Sequence, residues 1–296
     1  MKIFFIVNPA AGNGKAKKYW EIYSKNIFSE IGIQDYAFTE YRGHATEIAR
    51  KISGEKYDLI VSCGGDGTLN EVINGLTGSD IGVGLLPLGT GSDFGKTIGI
   101  RNLQDFLNSI KKGKIVSVDL ALAEFPDQQK RYFINILEIG FGAKVMDYVN
   151  RHKLLGKYSF IFGVFATIST MKKFNLEIIF NSQSMSFSTI EAIIANGRYF
   201  GGGMLASPES SIKDGILDIH ILKPFSKFRS VLNLKYLING EYIKKGYAYN
   251  FSTSEISIKN KGDLVEMDGE VVGTTPLNIS IKKGAVGFLV PGYDFC

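Results

Sequence analysis

The sequence predicts an α/β protein of two domains: an N-terminal, mostly parallel α/β domain over residues 1–114 and a C-terminal, antiparallel β-rich domain over residues 115–296. Three observations predict this. Up to about residue 112, short apolar runs alternate with helix-period stretches, the mark of βαβ units. From about Ile115 the runs become strand-like and helical patterns become sparse. Three of the early strands also run straight into glycine-rich loops. Gly113-Lys114 is the expected hinge, and the extreme C-terminus is free to return to the first domain.

The first run, Lys2–Val7 (KIFFIV), suits a buried parallel strand and opens into Asn8-Pro9-Ala10-Ala11-Gly12-Asn13-Gly14-Lys15. A helix over 16–29, a strand over 33–38 and a helix over 44–52 follow. The next strand, 58–63, stops at Gly64-Gly65-Asp66-Gly67-Thr68, and Leu69, Val72 and Ile73 then mark one face of a helix over 68–76. A strand-to-helix turn without Cβ atoms lets phosphate oxygens approach backbone N–H groups, and the helix dipole favours the anion. Asp66 stands in that turn, where a carboxylate repels phosphate unless a cation or a proton-transfer role accounts for it. The third loop, Pro87-Leu88-Gly89-Thr90-Gly91-Ser92-Asp93-Phe94-Gly95, follows a strand over 82–87 and precedes a helix over 102–111. Each loop alone is an ordinary βα connection. Three of them with Asp66 and Asp93 among the glycines point to one phosphate site, at the carboxyl ends of the strands. Neither a Walker P-loop nor a G-x-G-x-x-G fingerprint is present.

Bulk properties narrow the classes. The chain has 296 residues, 45% of them hydrophobic, so a sizeable core is expected. A net charge of +5 fits phosphate substrates or an anionic membrane surface and is too weak to argue for nucleic acid. The two cysteines, Cys63 and Cys296, make no disulfide framework and favour a reducing compartment. Three histidines without a Cys or carboxylate cluster give no zinc site. The apolar start is too short for a signal peptide, and no apolar run is long enough for a spanning helix, so a cytoplasmic location is expected.

In the second domain, strands are expected over 115–123, 132–139, 174–180, 185–195, 217–222, 254–259, 264–268, 277–281 and 286–290, with helices over 158–173 and 226–239. Two polar motifs stand out. Ser211-Ile212-Lys213-Asp214-Gly215-Ile216-Leu217-Asp218 puts acids beside a turn. Glu266-Met267-Asp268-Gly269-Glu270 packs three carboxylates into five residues, either as a hairpin tip or as the base and metal-binding groups of phosphoryl transfer.

These motifs together resemble the diacylglycerol kinase catalytic-domain family, specifically its bacterial soluble lipid kinases, with sphingosine kinases and, more distantly, NAD kinases as relatives. The matching elements are Asn8-Pro9 with Gly12, Thr39 with Gly43-His44-Ala45, Gly64–Thr68 with Asn70-Glu71, Pro87–Phe94, Gly201–Met204, Asp214–Asp218 and Asp268-Gly269-Glu270. The family commonly has asparagine where Ser92 stands; serine keeps a donor and an acceptor. The resemblance implies a nucleotide-binding first domain, a substrate-binding second domain and an active site in the cleft between them. It implies ATP and Mg²⁺ as cofactors, with nucleotide contacts at Asn8, Pro9, Ala10, Ala11, Gly12, Thr39, Gly65, Asp66, Gly67, Thr68, Leu69, Asn70, Glu71 and Thr90. Glu270 stands at the family's proton-acceptor position with Asp268 beside it, Asp66 and Asp93 are placed to hold catalytic Mg²⁺, and Ser211, Asp214 and Ile216 match a structural Mg²⁺ site that includes backbone oxygens. The activity implied is transfer of the γ-phosphoryl group to a lipid hydroxyl, diacylglycerol-like first; a NAD kinase-like small-molecule kinase and a non-catalytic nucleotide-binding regulator are the alternatives.

Other residues carry two readings each. Lys15 and Arg42 lie where phosphates would pass and equally suit solvent. His44 favours capping or packing over acid–base work; Asn135 and Glu138 have no distinctive spacing, and Asn196-Gly197 reads as a turn. The segment 151–165 joins Arg151, His152, Lys153 and Lys157 to an aromatic-rich helix, which packs on the sheet or seats on an anionic bilayer. The expected partners are a membrane lipid substrate, a transient anionic membrane surface at the inner face and a homodimeric second copy, with nucleic acid excluded.

Overall fold

The computed structural model describes residues 1–89, 91–152 and 158–292. The chain divides into two compact units, Met1–Val118 together with the segment from Lys283, and Asp119–Lys282.

The first unit runs β1 (Ile3–Val7), α1 (Ala16–Ile31), β2 (Asp35–Phe38), α2 (His44–Ile52), β3 (Leu59–Gly64), α3 (Asp66–Leu76), β4 (Gly82–Pro87), α4 (Asp93–Ile98) and α5 (Leu103–Lys112). The strands are parallel in the order β2-β1-β3-β4. That order makes the three strands that end in glycine-rich loops immediate neighbours, and it reverses direction between β1 and β3, where open α/β sheets bind ligands. Phe5, Ile60, Val61, Val83 and Leu85 are buried because helices cover both faces, which is why these strands read as unbroken apolar runs. Helix α4 was not legible in the glycine-rich third loop; it exists because a carboxylate from α3 caps it, as described below.

The second unit begins within β5 (Lys114–Glu124) and continues through β6 (Lys130–Phe133), β7 (Ile136–Gly140), α6 (Phe141–Arg151), α7 (Ser159–Thr167) and a 3₁₀ turn (Ile168–Thr170). Next come β8 (Phe174–Phe180), β9 (Gln183–Thr189), β10 (Glu191–Ala195), β11 (Tyr199–Phe200), β12 (Met204–Leu205) and β13 (Leu217–Leu222). The remainder is α8 (Lys227–Ile238), α9 (Glu241–Lys244), β14 (Ala248–Thr253), β15 (Glu255–Ile258), β16 (Leu264–Met267), β17 (Glu270–Thr274) and β18 (Leu277–Val290). One antiparallel layer has the order β14-β13-β10-β7-β16-β17, and the other is built on β15, β8 and β9 with the start of β18. The far end of β18 lies in the first unit, where Phe288 pairs with Val83 of β4.

Side-chain alternation sorts this layer into two faces. Leu137, Ile139, Ala192, Ile194, Val265 and Met267 enter the core between the sheets. Ile136, Ile193 and Ala195 face the other way, onto a second core formed with Val145, Val149, Phe160 and Val164 of α6 and α7.

Several element boundaries differ from expectation, each for a local reason. The expected strand over 132–139 is two strands, because the N–H groups of Ile134, Asn135 and Ile136 bond a side chain instead of a ladder. The run over 185–195 breaks at Ile190, whose carbonyl accepts from Phe141 N–H. The helix over 158–173 ends in the 3₁₀ turn, and the segments 277–281 and 286–290 are one long strand, β18.

Candidate active site

In the first unit the three glycine-rich loops meet. Asn8, just past β1, donates from Nδ2 to Thr68 Oγ1 of α3 (3.0 Å), and its Oδ1 accepts from Ala10 N–H (3.0 Å). That fixes the Asn8–Gly12 loop against the start of α3. Gly12 has φ +60°, and a Cβ there would lie 2.6 Å from the Leu88 carbonyl oxygen, so the first loop also rests on the third. The N–H groups of Leu88 and Gly89 both donate to Gly64 O (3.0 Å each), and a Cβ on Gly89 would stand 2.7 Å from Gly65 Cα. Gly65 precedes α3 in an extended conformation, so the helix's first-turn N–H groups at Gly67 and Thr68 have no intrahelical acceptor. The chemistry offered is that of an anion cradle: backbone donors, a helix N-terminus and little side-chain bulk.

Two carboxylates on α3 set this geometry. Asp66 Oδ2 accepts from Asp93 N–H (2.9 Å) and Oδ1 from Phe94 N–H (3.1 Å), capping α4. Five residues on, Glu71 Oε1 accepts from Gly43 N–H (2.9 Å) and Oε2 from Ala45 N–H (3.1 Å), capping α2. Thr46 Oγ1 donates to Glu71 O (2.9 Å) in the same contact. Helix α3 thus holds the N-termini of both neighbours by charge-assisted bonds. Sequence reasoning gave Asp66 to proton transfer or metal and Glu71 to nucleotide contact; the geometry gives both carboxylates a positioning task.

The remaining nucleotide-contact positions fall as follows. Thr39 is buried and its N–H donates to Val7 O (2.8 Å), placing it beside the end of β1. Pro9, Ala10 and Ala11 form the outer turn of the first loop, Leu69 is core, and Asn70 is buried and accepts from Asn74 Nδ2. Thr90 lies outside the described residues. Asp93 is buried, with Lys96 Nζ donating to its Oδ1 at 3.0 Å. His44 Nδ1 accepts from Glu40 N–H (3.1 Å) while its ring stacks on Tyr41, the capping and packing role that its sequence position favours. Lys15 is exposed.

In the second unit the Asp268-Gly269 pair is the tip of the β16–β17 hairpin, with Met267 opposite Glu270. Asp268 adopts φ +48°, and its carboxylate accepts three backbone N–H groups, from Ile134 (2.9 Å), Asn135 (2.9 Å) and Ile136 (3.2 Å). It is therefore an anchor for the hairpin tip. Glu270 follows on β17, its Oε2 accepting from Arg131 Nη2 at 2.5 Å, with both side chains about four-fifths shielded. Arg131, on β6, was missed by the sequence reading: nothing in its neighbourhood distinguishes it from a solvated strand residue, and only the β5–β6 hairpin brings it to Glu270.

Ser211, Asp214 and Ile216 lie on the turn that enters β13. Asp214 Oδ1 accepts from Ile216 N–H (3.0 Å), while Asp119 Oδ2 accepts from Gly215 N–H (2.7 Å). Partial burial pushes Asp214 above the usual carboxylate range, and the nearby Asp218 and Asp119 add to it. Asp218 is occupied by the hydroxyls of Ser210 (2.6 Å) and Ser252 (2.7 Å). Among the described residues no group of three or more His, Cys, Asp or Glu side chains converges as a metal site; the donors at the turn are hard oxygens, the type Mg²⁺ accepts. Asn196, read as part of a turn, lies in the bend after β10 and is fully buried, its Nδ2 donating to Asp119 O (3.0 Å) and Ile134 O (2.7 Å).

Comparison with known proteins places the chain. Residues 2–123 match the diacylglycerol kinase catalytic domain, and residues 135–290 match the YegS C-terminal NAD kinase beta sandwich-like domain. The chain is 30% identical over 298 residues to the "Putative lipid kinase YtlR" of Bacillus subtilis, covering 94% of this chain and 96% of that one. It is 26% identical to the diacylglycerol kinase of Bacillus subtilis, over 92% of this chain and 90% of the relative. A Bacillus anthracis crystal structure described as a putative diacylglycerol kinase superposes with TM-score 0.80 at 26% identity, covering 98% of this chain and 95% of that chain. An NAD kinase from Archaeoglobus fulgidus in complex with ATP shares the fold at TM-score 0.55 and 14% identity, over 100% of this chain and 96% of that one. The chain belongs to the bacterial branch of the diacylglycerol kinase catalytic-domain family, a family of ATP-dependent phosphotransferases.

Proposed function

We propose that the protein is an ATP- and Mg²⁺-dependent lipid kinase that phosphorylates a lipid hydroxyl, with a diacylglycerol-like acceptor first. The observation that carries this reading is the convergence of the Asn8–Gly12 loop, the α3 N-terminus and Leu88-Gly89 at one end of the parallel sheet, in a chain of this family. The names of its relatives support the lipid acceptor.

When bound, ATP supplies the phosphoryl group and Mg²⁺ offsets its phosphate charge. The N–H groups of the first loop and of Gly67 and Thr68 receive the donor phosphates; Asp66 and Glu71 keep the three loops in register. Glu270 accepts the proton of the lipid hydroxyl, and Arg131 holds its carboxylate in one orientation. Asp268 fixes the hairpin that presents Glu270. Ser211, Asp214 and Ile216 would hold a structural Mg²⁺, with Ile216 contributing its carbonyl oxygen. The lipid partner requires visits to an anionic membrane surface; among the described residues no helix is long and apolar enough to cross a membrane.

Incubation of purified protein with labelled ATP, Mg²⁺ and mixed micelles tests this. Labelled phospholipid from diacylglycerol, monoacylglycerol, phosphatidylglycerol or a sphingoid base is the expected result. The NAD kinase fold likeness keeps one alternative specific: formation of NADP from NAD and ATP, with no labelled lipid, would overturn the reading. Tight ATP binding without either product would assign the chain a regulatory role.

A further inference from the structure

The hairpin that presents Glu270 is held at its tip by more than Asp268. Strand β16 meets β17 through a bulge between Val265 and Glu266, which bends the strand just before the turn. Glu266 Oε1 accepts from Gly269 N–H, the amide that precedes Glu270 in the chain. From α6, Asn150 Nδ2 donates to Gly269 O (3.2 Å), the carbonyl of the Gly269–Glu270 peptide. Both polar backbone groups of Gly269 are thus tied to side chains.

Glu266 is itself buried, where an ionised and unpaired carboxylate is costly. Its partner is Glu138, also buried and directly opposite on β7. The two carboxyls hydrogen-bond each other, which requires a proton between them. Gly142, at the start of α6, leaves the room that Glu138 fills: a Cβ there would lie 2.7 Å from Glu138 Oε1. The N–H of Gly142 donates to Glu191 on β10, which fixes the start of α6 against the same strands. The two glutamates that flank the turn therefore have different partners. Glu266 faces a second carboxyl, and Glu270 faces the Arg131 guanidinium.

We propose that Glu266, sharing a proton with Glu138, is a positioning residue that fixes the Gly269–Glu270 peptide and so aims the Glu270 carboxylate. This rests on the kinase reading above, in which Glu270 accepts the proton of the lipid hydroxyl. The side chain works here by length and by neutral hydrogen bonding, not by charge. Burial, with Glu138 alongside, pushes the Glu266 carboxyl well above its usual range, so it keeps its proton and offers one donor and one acceptor. The donor goes to Glu138 and the acceptor to Gly269 N–H.

The test compares Glu266→Gln, Glu266→Leu and Glu266→Asp in the full chain. Melting curves establish folding, NMR reads hydrogen exchange at the Gly269 amide, and steady-state kinetics read phosphoryl transfer to a lipid. Gln keeps the length and the neutral donor and acceptor, so kcat and Gly269 exchange should stay within about threefold of wild type. Leu has no polar group, and Asp keeps the carboxyl but is one methylene short. In each of these the Gly269 amide should exchange at least about tenfold faster. Their kcat should fall by about 10–10²-fold with KM for ATP within about twofold, the signature of a misplaced base and not of lost nucleotide binding. Exchange and kcat in Glu266→Gln as far from wild type as in Glu266→Leu would overturn the proposal; if Leu and Asp do not fold, the Gln variant decides it alone. Unchanged exchange and kcat in a folded Glu266→Leu would also overturn it. The exchange readout needs no substrate. Faster exchange in Leu and Asp but not in Gln, with no transfer by the wild type, keeps the contact and removes the kinase reading. Lipid phosphorylation indifferent to all three substitutions leaves the kinase reading standing and removes the positioning role.

Discussion

Asp66→Asn isolates what the α3 clamp does. The ionised carboxylate accepts one N–H on each oxygen, from Asp93 at 2.9 Å and Phe94 at 3.1 Å. The amide keeps one acceptor and turns an NH₂ group toward the other N–H, so one hydrogen bond to a charged group is lost, about 1.5–3 kcal/mol. Removing the charge from the N-terminus of α4 costs a further ~0.3–1 kcal/mol. The sum is about 2–4 kcal/mol. With a urea slope of about 2 kcal/mol/M, the middle of the usual range, the unfolding midpoint of the first unit should fall by roughly 1–2 M. Trp20, the chain's single tryptophan, is buried on α1 in that unit, so its fluorescence reports the transition directly. Turnover should fall with the lost loop register, and excess Mg²⁺ should not restore it. An unchanged Trp20 midpoint, with activity recovered by raised Mg²⁺, would refute the clamp and make Asp66 a metal-organising group.

The other predictions probe separate parts of the account. Glu270→Gln should leave the fold and ATP binding intact and lower phosphoryl transfer by about 10²–10⁴-fold; unchanged turnover would move the base to Asp268 or Asp66. Asp268→Ala leaves three backbone N–H groups without their carboxylate, so calorimetric unfolding should show a loss of about 3 kcal/mol or more, and a neutral result would contradict its anchoring role. Because Glu138, Glu191 and Glu266 are raised well above the usual carboxylate range, chiefly by burial, the folded state holds more protons than the unfolded one above the unfolded pKa, about 4.3. Stability should therefore fall as pH rises from there through the folded values, by up to about 1.4 kcal/mol per pH unit per proton, and Glu266→Gln should flatten the slope; an identical pH profile in that variant would count against the buried proton. In liposome sedimentation, binding should favour anionic over neutral vesicles, weaken with salt, and drop on neutralising Arg151, Lys153 and Lys157, the last two of which lie outside the described residues; equal recovery on both vesicle types would exclude electrostatic attachment.

Much of the fold was legible because local pattern and tertiary placement agree. Lys2–Val7, 58–63 and 82–87 read as buried parallel strands and are β1, β3 and β4, since burial on both faces leaves an unbroken apolar signature. Asp268-Gly269 carried a hairpin-tip reading beside a catalytic one, and the pair is the tip of the β16–β17 hairpin. Where side chains replace backbone partners, pattern fails. Helix α4 depends on Asp66, 27 residues earlier, and the break between β6 and β7 depends on Asp268, more than 130 residues later. Neither dependence leaves a mark within a short window. Glu138 had no distinctive spacing for the same reason: its meaning comes from Glu191 and Glu266 on neighbouring strands. Arg131 became visible only through its partner, Glu270. The glycine-rich loops were the most readable part of the candidate site, because close backbone approach leaves a compositional trace that single positioning carboxylates do not.

The central claim is phosphoryl transfer to a lipid hydroxyl, and the most direct measurement is transfer of label from γ-labelled ATP to neutral glycerides, phosphatidylglycerol, sphingoid bases and NAD, in parallel, by wild type and Glu270→Gln. The account predicts Mg²⁺-dependent labelling of a lipid, a neutral glyceride first, which collapses in Glu270→Gln while NAD stays unlabelled. Labelled NADP with no labelled lipid, or lipid labelling indifferent to Glu270, would contradict it.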